Sequence, residues 1–121
     1  MTKVILIVDD EPANIDIFKS LTPDSYKCKA AIKGLIALKQ ISKQKPDMVI
    51  LDLVMPGMNG IETLSEIRKS YSNDELPVLI VSGTKNPEDL VALEKLGITD
   101  FMTKPVNSEQ FLAILTKTLG T

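Results

Sequence analysis

The sequence predicts an α/β domain in which a five-stranded parallel sheet is covered by helices on both faces. Short apolar segments of strand length alternate five times with longer segments whose apolar residues recur at helical spacing. This alternation is typical of strands joined by helical crossovers, which make the strands parallel. The 121 residues hold no repeat, linker or low-complexity segment, so we expect one domain spanning residues 1–121.

The first strand is predicted at residues 3–8, an apolar run that stops at three successive acids. A helix should follow from Pro12, because proline is favoured in the first turn of a helix. Its apolar face is indicated by Ile15, Phe18 and Leu21.

The second strand, residues 26–30, alternates in character and places Lys27 and Lys29 on one side. Lysines on an alternating strand are typical of a sheet edge. Cys28 shares the other side with apolar neighbours, so we interpret it as a small packing residue. A second helix, ending before Pro46, is predicted from the spacing of Leu35, Leu38 and Ile41.

The third strand, residues 48–51, is wholly apolar and is followed directly by Asp52. The loop after it contains Pro56, Gly57 and Gly60, which suit a tight path that brings backbone close to a ligand. Asp52 is interpreted either as a turn cap or as part of a binding site. A third helix is indicated by Ile61, Leu64, Ile67 and Tyr71.

The fourth strand, residues 78–81, is again apolar throughout and ends at Ser82, before a small polar loop. The fourth helix should end at Gly97. A mixed fifth strand is predicted at residues 99–102. Apolar spacing indicates the fourth helix at Leu90, Leu93 and Leu96, and a fifth at Phe111, Ile114, Leu115 and Leu119.

Strand composition predicts the order of the sheet. The wholly apolar first, third and fourth strands belong at its centre, and the mixed second and fifth strands belong at its edges. The resulting order, 2-1-3-4-5, is that of a flavodoxin-like doubly wound fold with five helices. In that fold, ligands bind beyond the carboxyl ends of the first and third strands, where the connections reverse direction.

Composition excludes several classes of protein and site. A formal net charge of −2 argues against direct binding of nucleic acid, and no apolar run is long enough to span a membrane. A single cysteine and the lack of histidine argue against disulfides and structural zinc. The start of the chain does not resemble a signal peptide, so we expect a cytoplasmic protein.

Five polar side chains should converge at the carboxyl edge of the sheet: Asp9, Asp10, Asp52, Ser82 and Lys104. Three clustered carboxylates repel one another, and a hard divalent cation relieves this repulsion. Mg²⁺ is the expected ion, with Mn²⁺ as a substitute. The set fits phosphoryl transfer to the carboxylate of Asp52, with Lys104 neutralising charge and Ser82 donating a hydrogen bond.

Over its entire length the sequence resembles the receiver domain of bacterial two-component response regulators. Four motifs carry the resemblance: Val8-Asp9-Asp10-Glu11-Pro12, the segment from Leu51 to Gly60, Val81-Ser82-Gly83 and Thr103-Lys104-Pro105. The resemblance implies that Asp52 is the phosphoacceptor and that Lys104 contacts the phosphoryl group. It also implies a cis bond between Lys104 and Pro105.

The same resemblance assigns the metal ligands and the switch residues. Asp10 would bind Mg²⁺ directly, together with Asp52, and Asp9 would act largely through a water. Val54 would supply a backbone carbonyl. Ser82 would be the switch hydroxyl, and Phe101 occupies the position of the aromatic switch residue. Two residues depart from the common pattern, since many relatives have Ala at the position of Gly83 and Tyr at that of Phe101.

The favoured function is a signalling module controlled by phosphorylation, which is not an enzyme beyond its own phosphoryl transfer and dephosphorylation. The expected donor is a histidine kinase or a histidine phosphotransfer protein. The output is expected through a downstream protein, a covalently linked domain or phosphorylation-dependent dimerisation, and the chain is either a stand-alone regulator or part of a larger protein. Two alternatives are a receiver-like module that binds partners without phosphorylation and a phosphatase of the haloacid dehalogenase type. The phosphatase reading is weaker, because Val54 stands where a second aspartate is needed.

Overall fold

The computed structural model describes residues 2–120, which form one parallel sheet between two layers of helices. The strands are β1 (Lys3–Val8), β2 (Tyr26–Ala31), β3 (Met48–Asp52), β4 (Val78–Ser82) and β5 (Asp100–Thr103). The helices are α1 (Pro12–Leu21), α2 (Gly34–Lys43), α3 (Gly60–Ser70), α4 (Pro87–Leu96) and α5 (Ser108–Leu119). The strand order is β2-β1-β3-β4-β5, which confirms the predicted flavodoxin-like topology.

The sheet separates two apolar clusters, because alternate residues of each strand point to opposite faces. On β3, Val49 and Leu51 join the cluster covered by α2, α3 and α4. Met48 and Ile50 join the cluster covered by α1 and α5. Every residue of β3 and β4 is buried, as predicted for central strands.

The two edge strands also match their predicted mixed character, since each combines exposed residues with half-buried and buried ones. Lys27 is exposed on β2, whereas Cys28 is half-buried and packs against the α1 and α5 cluster.

Gly97 follows α4 with φ of 96°, a left-handed conformation that glycine adopts without strain. This confirms Gly97 as the residue that ends α4. Within residues 2–120, no helix is both long and apolar enough to cross a membrane.

The predicted apolar face of α2 was wrong in one residue. Leu35 is 59% exposed, and the helix instead buries Gly34, Ala37 and Ile41. Gly34 lies against the side chain of Thr63 on α3, where an added Cβ would collide with the threonine hydroxyl. Because this close packing sets the rotation of α2, Leu35 turns outward.

Arg68 on α3 joins three segments that the sequence analysis did not connect. Its guanidinium donates hydrogen bonds of 2.9–3.2 Å to the backbone carbonyls of Tyr71, Leu76 and Gly97 and to the side chain of Asn73. The acceptors belong to the end of α3, to the loop before β4 and to the residue after α4. One side chain therefore fixes the ends of two helices relative to β4.

Candidate functional site

The ends of β1 and β3 bring three carboxylates together. Val8 pairs with Leu51 across these parallel strands, so Asp9 and Asp52 follow at neighbouring positions of the same sheet edge. Oxygen atoms of Asp9, Asp10 and Asp52 lie within 4.8 Å of one another. Asp9 and Asp52 are buried and Asp10 is half-buried. The sequence prediction of an acidic cluster at this edge is confirmed.

Lys104 provides the positive charge of the site. Its Nζ lies 3.2 Å from Asp9 Oδ2 and 3.5 Å from Asp52 Oδ1. The backbone places it there, because Lys104 N donates a 2.8 Å hydrogen bond to the carbonyl of Ser82 at the end of β4. Burial alone lowers the pKa of Lys104, but the charges of Asp52 and Asp9 outweigh it and raise that pKa. Lys104 is therefore firmly cationic.

Asp52 is held in an environment that disfavours its charge. Burial raises its pKa above the ordinary 3.8, and the neighbouring charge of Asp9 raises it further. Lys104 and the N–H of Val54, which lies 3.4 Å from Asp52 Oδ1, act in the opposite direction without cancelling the shift. A cation bound beside Asp52 would stabilise its charged form.

The raised pKa leads to a prediction about stability. Protonated Asp52 favours the fold below about pH 4, and this contribution is lost as the pH rises through the raised pKa of the folded state. In metal-free buffer at pH 7, Asp52→Asn should therefore raise the melting temperature, because the amide carries no charge to bury. The gain should shrink towards pH 4. Thermal unfolding followed by circular dichroism measures it.

Asp24→Asn is the control, because Asp24 is exposed in the loop between α1 and β2. Its melting temperature should match that of wild type at both pH values. If Asp52→Asn had the same melting temperature as wild type at pH 7, burial of the Asp52 carboxylate would not destabilise the fold.

The donor set fits a hard divalent cation. Mg²⁺ prefers oxygen ligands and binds through one or two carboxylates while it keeps several waters. Asp9 already accepts two hydrogen bonds, on Oδ1 from Glu11 N at 2.9 Å and on Oδ2 from Lys104 at 3.2 Å. Asp10 carries the most exposed of the three carboxylates. The three clustered carboxylates thus form an oxygen donor set that suits such an ion.

Ser82 and Val54 lie beside this cluster and share a cavity of about 250 Å³ with Thr84 and Asn59. Ser82 is buried at the end of β4, and its Oγ accepts a 3.3 Å hydrogen bond from Thr84 N. The Val54 side chain is exposed to solvent. Ser82 is therefore buried one residue beyond the pairing partner of Asp52, whereas the Val54 side chain faces solvent.

Phe101 lies on β5, away from the acidic cluster. It is half-buried, packs against the cluster covered by α2, α3 and α4, and lines a cavity of about 350 Å³ with Leu90 and Glu94 of α4. The space beside its ring belongs to the junction of α4 and β5. The peptide bond between Lys104 and Pro105 is cis, as the family resemblance implied.

The loop after Asp52 is shaped by two features that sequence reasoning missed or misread. Asn59 accepts from Glu62 N at 2.9 Å, and Glu62 accepts from Asn59 N at 3.0 Å, a capping box that the Asn-x-x-Glu spacing could have revealed. Gly60 was expected to allow approach to a ligand. Instead it packs against the chain's own backbone, where an added Cβ would overlap the carbonyl oxygen of Asp52 and lie 2.6 Å from Leu53 Cα.

Comparison with known proteins finds close similarity along almost the whole chain. The family model described as response regulator receiver domain matches residues 5–116. A protein of Vibrio cholerae serotype O1 named probable cyclic di-GMP phosphodiesterase is 39% identical over 103 residues. That alignment covers 85% of this chain but 23% of the relative, so the chain spans about a quarter of that protein.

Solved structures agree with the family match. The chemotaxis protein CheY4 of Vibrio cholerae is 27% identical, with a TM-score of 0.88 and coverage of 98% of this chain and 99% of that one. A CheY-like receiver domain protein of Methanospirillum hungatei JF-1 is also 27% identical, with a TM-score of 0.91 and coverage of 98% and 94%. The sequence match, the strand order and the acidic edge therefore agree: this chain belongs to the response regulator receiver domain family.

Proposed function

We propose that this chain is a phosphoacceptor receiver domain spanning residues 1–121, in which Asp52 receives a phosphoryl group from a histidine kinase or a histidine phosphotransfer protein. The observation behind the proposal is that the Asp52 carboxylate lies next to the carboxylates of Asp9 and Asp10 and to the ammonium of Lys104. Receiver domains are generally signalling modules and not catalysts for other substrates. A cytoplasmic site of action follows from the proposed donor.

The transfer step uses the carboxylate of Asp52 as the nucleophile. One carboxylate oxygen forms a bond to phosphorus as the P–N bond of the donor phosphohistidine breaks, and the bonding electron pair goes to the imidazole nitrogen, which takes up a proton. Both Lys104 and the N–H of Val54 lie on the Oδ1 side of Asp52, so we assign Oδ2 as the attacking atom. Lys104 then moves from the carboxylates to the phosphoryl oxygens.

We assign the metal ligands to the residues that offer oxygen atoms at this edge. Asp10 and Asp52 would hold Mg²⁺ directly, Asp9 would hold it through a water, and Val54 would add its backbone carbonyl. Bound Mg²⁺, or Mn²⁺ in its place, supplies positive charge that offsets the charge of the carboxylates and the phosphoryl oxygens.

Acetyl phosphate tests the proposal without knowledge of the donor protein. Incubation with acetyl phosphate and Mg²⁺ should add one phosphoryl group, seen by intact mass, as the P–O bond to acetate breaks. Asp52→Asn should gain no phosphoryl group, because the amide that replaces the carboxylate is not a nucleophile. In wild type, EDTA should suppress the reaction by removing Mg²⁺. Asp24→Asn should react as wild type does. A phosphorylated Asp52→Asn protein would assign the reaction to another residue.

We further propose that phosphorylation changes the surface formed by α4, β5 and α5. The phosphoryl group would draw the Ser82 hydroxyl away from Thr84 N, a 3.3 Å hydrogen bond that is long and easily given up. Phe101 has space beside its ring at the junction of α4 and β5, and without a hydroxyl it can turn inward and bury no unsatisfied polar group. The output would pass to a downstream protein, a linked domain or a second copy.

Beryllofluoride, a mimic of the phosphoryl group, tests the switch by amide NMR. Wild type should show shifts that extend from the Asp52 loop through residues 90–104. In Ser82→Ala the shifts should stay near the Asp52 loop, because the hydroxyl that transmits the change is missing. Thr84→Ala is the matched control, since it keeps the backbone N–H that bonds Ser82, and should behave as wild type. Shifts confined to the Asp52 loop in wild type would reject the switch.

The named relative supports a linked output domain as one form of this protein's action. That relative carries the matched region in about a quarter of its length and is named a probable cyclic di-GMP phosphodiesterase. In a protein of that kind, we propose that the α4, β5 and α5 surface contacts the output domain.

A further inference from the structure

The surface formed by β2 and α2 has a charge opposite to that of the chain as a whole. Residues 25–46 contain six lysines and no acidic residue, although the whole chain has a net charge of −2. The lysines are Lys27, Lys29, Lys33, Lys39, Lys43 and Lys45. Within residues 2–120, none of them lies in an ion pair. This segment is therefore a concentrated basic surface.

Three exposed aliphatic side chains lie within the same surface. Ile32 is 47% exposed, Leu35 is 59% exposed and Ile36 is 37% exposed. They come just before α2 and in its first turn, and Lys39 and Lys43 continue the same exposed stripe at helical spacing in the later turns. The outward stripe of α2 thus runs from apolar to basic along its length.

A groove adjoins this stripe between α2 and the edge strand. Its cavity measures about 270 Å³, and its lining includes the apolar residues Val4, Leu6 and Pro46 and the basic residues Lys29 and Lys43. Lys43 belongs to both the groove and the stripe, so the two features form one continuous surface. We call this surface, from Ile32 to Lys43 with the adjoining groove, the α2 face.

We propose that the α2 face docks an acidic amphipathic helix of a partner protein. The partner would place apolar side chains against Ile32, Leu35 and Ile36 and carboxylates against Lys33, Lys39 and Lys43. Protein interfaces have this anatomy, an apolar centre with a charged rim, and opposite charge on the partner supplies both orientation and a fast association rate.

The same features favour a protein helix over other anionic partners. Nucleic acid is held by phosphate contacts spread along the surface, with aromatic or arginine side chains at the bases, whereas the centre of the α2 face is aliphatic. A lipid surface is flat and would leave the groove unfilled. A helix that projects side chains at i, i+3, i+4 and i+7 matches both the stripe and the groove.

The first experiment maps the binding of a defined probe by amide NMR. The probe is a synthetic helical peptide of about 16 residues, with leucine at i, i+3, i+4 and i+7 and glutamate at most other positions. Amide shifts should cluster in residues 26–46. A second peptide with lysine in place of every glutamate should produce none of these shifts, because it is repelled by the basic surface.

Paired variants then separate the two parts of the α2 face. The double variants Leu35→Ser with Ile36→Ser, and Lys39→Glu with Lys43→Glu, should each weaken binding of the glutamate peptide by at least about tenfold. These residues are exposed, and circular dichroism should show that both variants keep the wild-type fold and melting temperature. Val91→Ser with Lys95→Glu is the matched control on α4, where Val91 is 54% exposed, and should bind as wild type does.

Three results would overturn the proposal. The first is a set of peptide shifts centred on α4 or on the Asp52 loop. The second is equal affinity of the α2 variants and the α4 control. The third is preferential binding to anionic phosphatidylglycerol vesicles, to duplex DNA or to a second copy of the chain, lost in the same α2 variants while the glutamate peptide fails to bind.

Discussion

Gly60→Ala should lower the free energy of unfolding by roughly 2–3 kcal/mol and displace the end of β3 that carries Asp52. The added methyl group would overlap the carbonyl oxygen of Asp52 and lie 2.6 Å from Leu53 Cα. Both obstacles are backbone atoms, so no side chain can rotate away. The hydrogen bond from Gly60 N to the carbonyl of Leu53, now 2.9 Å, would lengthen as the two segments separate. Urea unfolding measures the loss.

Gly83→Ala is the matched control for this prediction. A Cβ added at Gly83 meets no atom within 4 Å, so the stability should change by less than about 0.5 kcal/mol. The two alanine variants also differ in function. Gly60→Ala should reduce the rate of phosphorylation by acetyl phosphate, because Asp52 moves relative to Asp9 and Lys104, whereas Gly83→Ala should keep it. Equal urea midpoints for the two variants would refute the close approach at Gly60.

Arg68→Met should destabilise the domain by about 3 kcal/mol, although Arg68 lies far from the acidic cluster. Methionine keeps most of the aliphatic length but removes five hydrogen bonds, and it leaves three carbonyls, those of Tyr71, Leu76 and Gly97, without their donor. Hydrogen bonds from a charged donor contribute roughly 1.5–3 kcal/mol each, and water can replace part of the loss at this half-buried site. Urea unfolding gives the difference directly.

Two further variants show whether the geometry or the charge of Arg68 matters. Arg68→Lys keeps the charge but cannot reach several separate acceptors from one ammonium, so it should lose more than half of the stability lost in Arg68→Met. Lys69→Met removes the neighbouring charge, which is exposed and paired with Glu66 on the same helix, and should change stability by less than about 0.5 kcal/mol. If Arg68→Lys were as stable as wild type, the hydrogen bonds from Arg68 to several acceptors would not contribute to stability.

Much of the fold and of the site follows from the sequence because simple physical rules place the residues. Burial on both faces demands wholly apolar strands, so the centre of the sheet and the ends of its strands can be read directly. The positions of Asp9, Asp10 and Asp52 at one sheet edge then follow from topology alone. Lys104 follows from the same rule, as the residue after the fifth strand.

The features that could not be predicted depend on contacts between segments that are distant in sequence. Leu35 fits the helical spacing of an apolar face, but the packing of Gly34 on Thr63 rotates α2 and turns Leu35 to solvent. The acceptors of Arg68 are mainly backbone carbonyls, which every residue has and no sequence pattern marks. The hydrogen bond between Ser82 and Thr84 also depends on local loop geometry that side-chain type leaves open.

The hydrogen bonds from Arg68 to the carbonyl of Gly97 hold the carboxyl end of α4 more firmly than its amino end. Its carboxyl end is tied by two hydrogen bonds of 3.1 and 2.9 Å, while Leu93 is its single fully buried residue and its amino end follows the exposed loop after Ser82. The helix is roughly 15 Å long, so a tilt of about 10° about its carboxyl end moves the Pro87 end by roughly 2.6 Å. Under the proposed switch, a displacement of the loop beyond Ser82 would therefore tilt the exposed face of α4, and the displacement would be largest at the end nearest the acidic cluster.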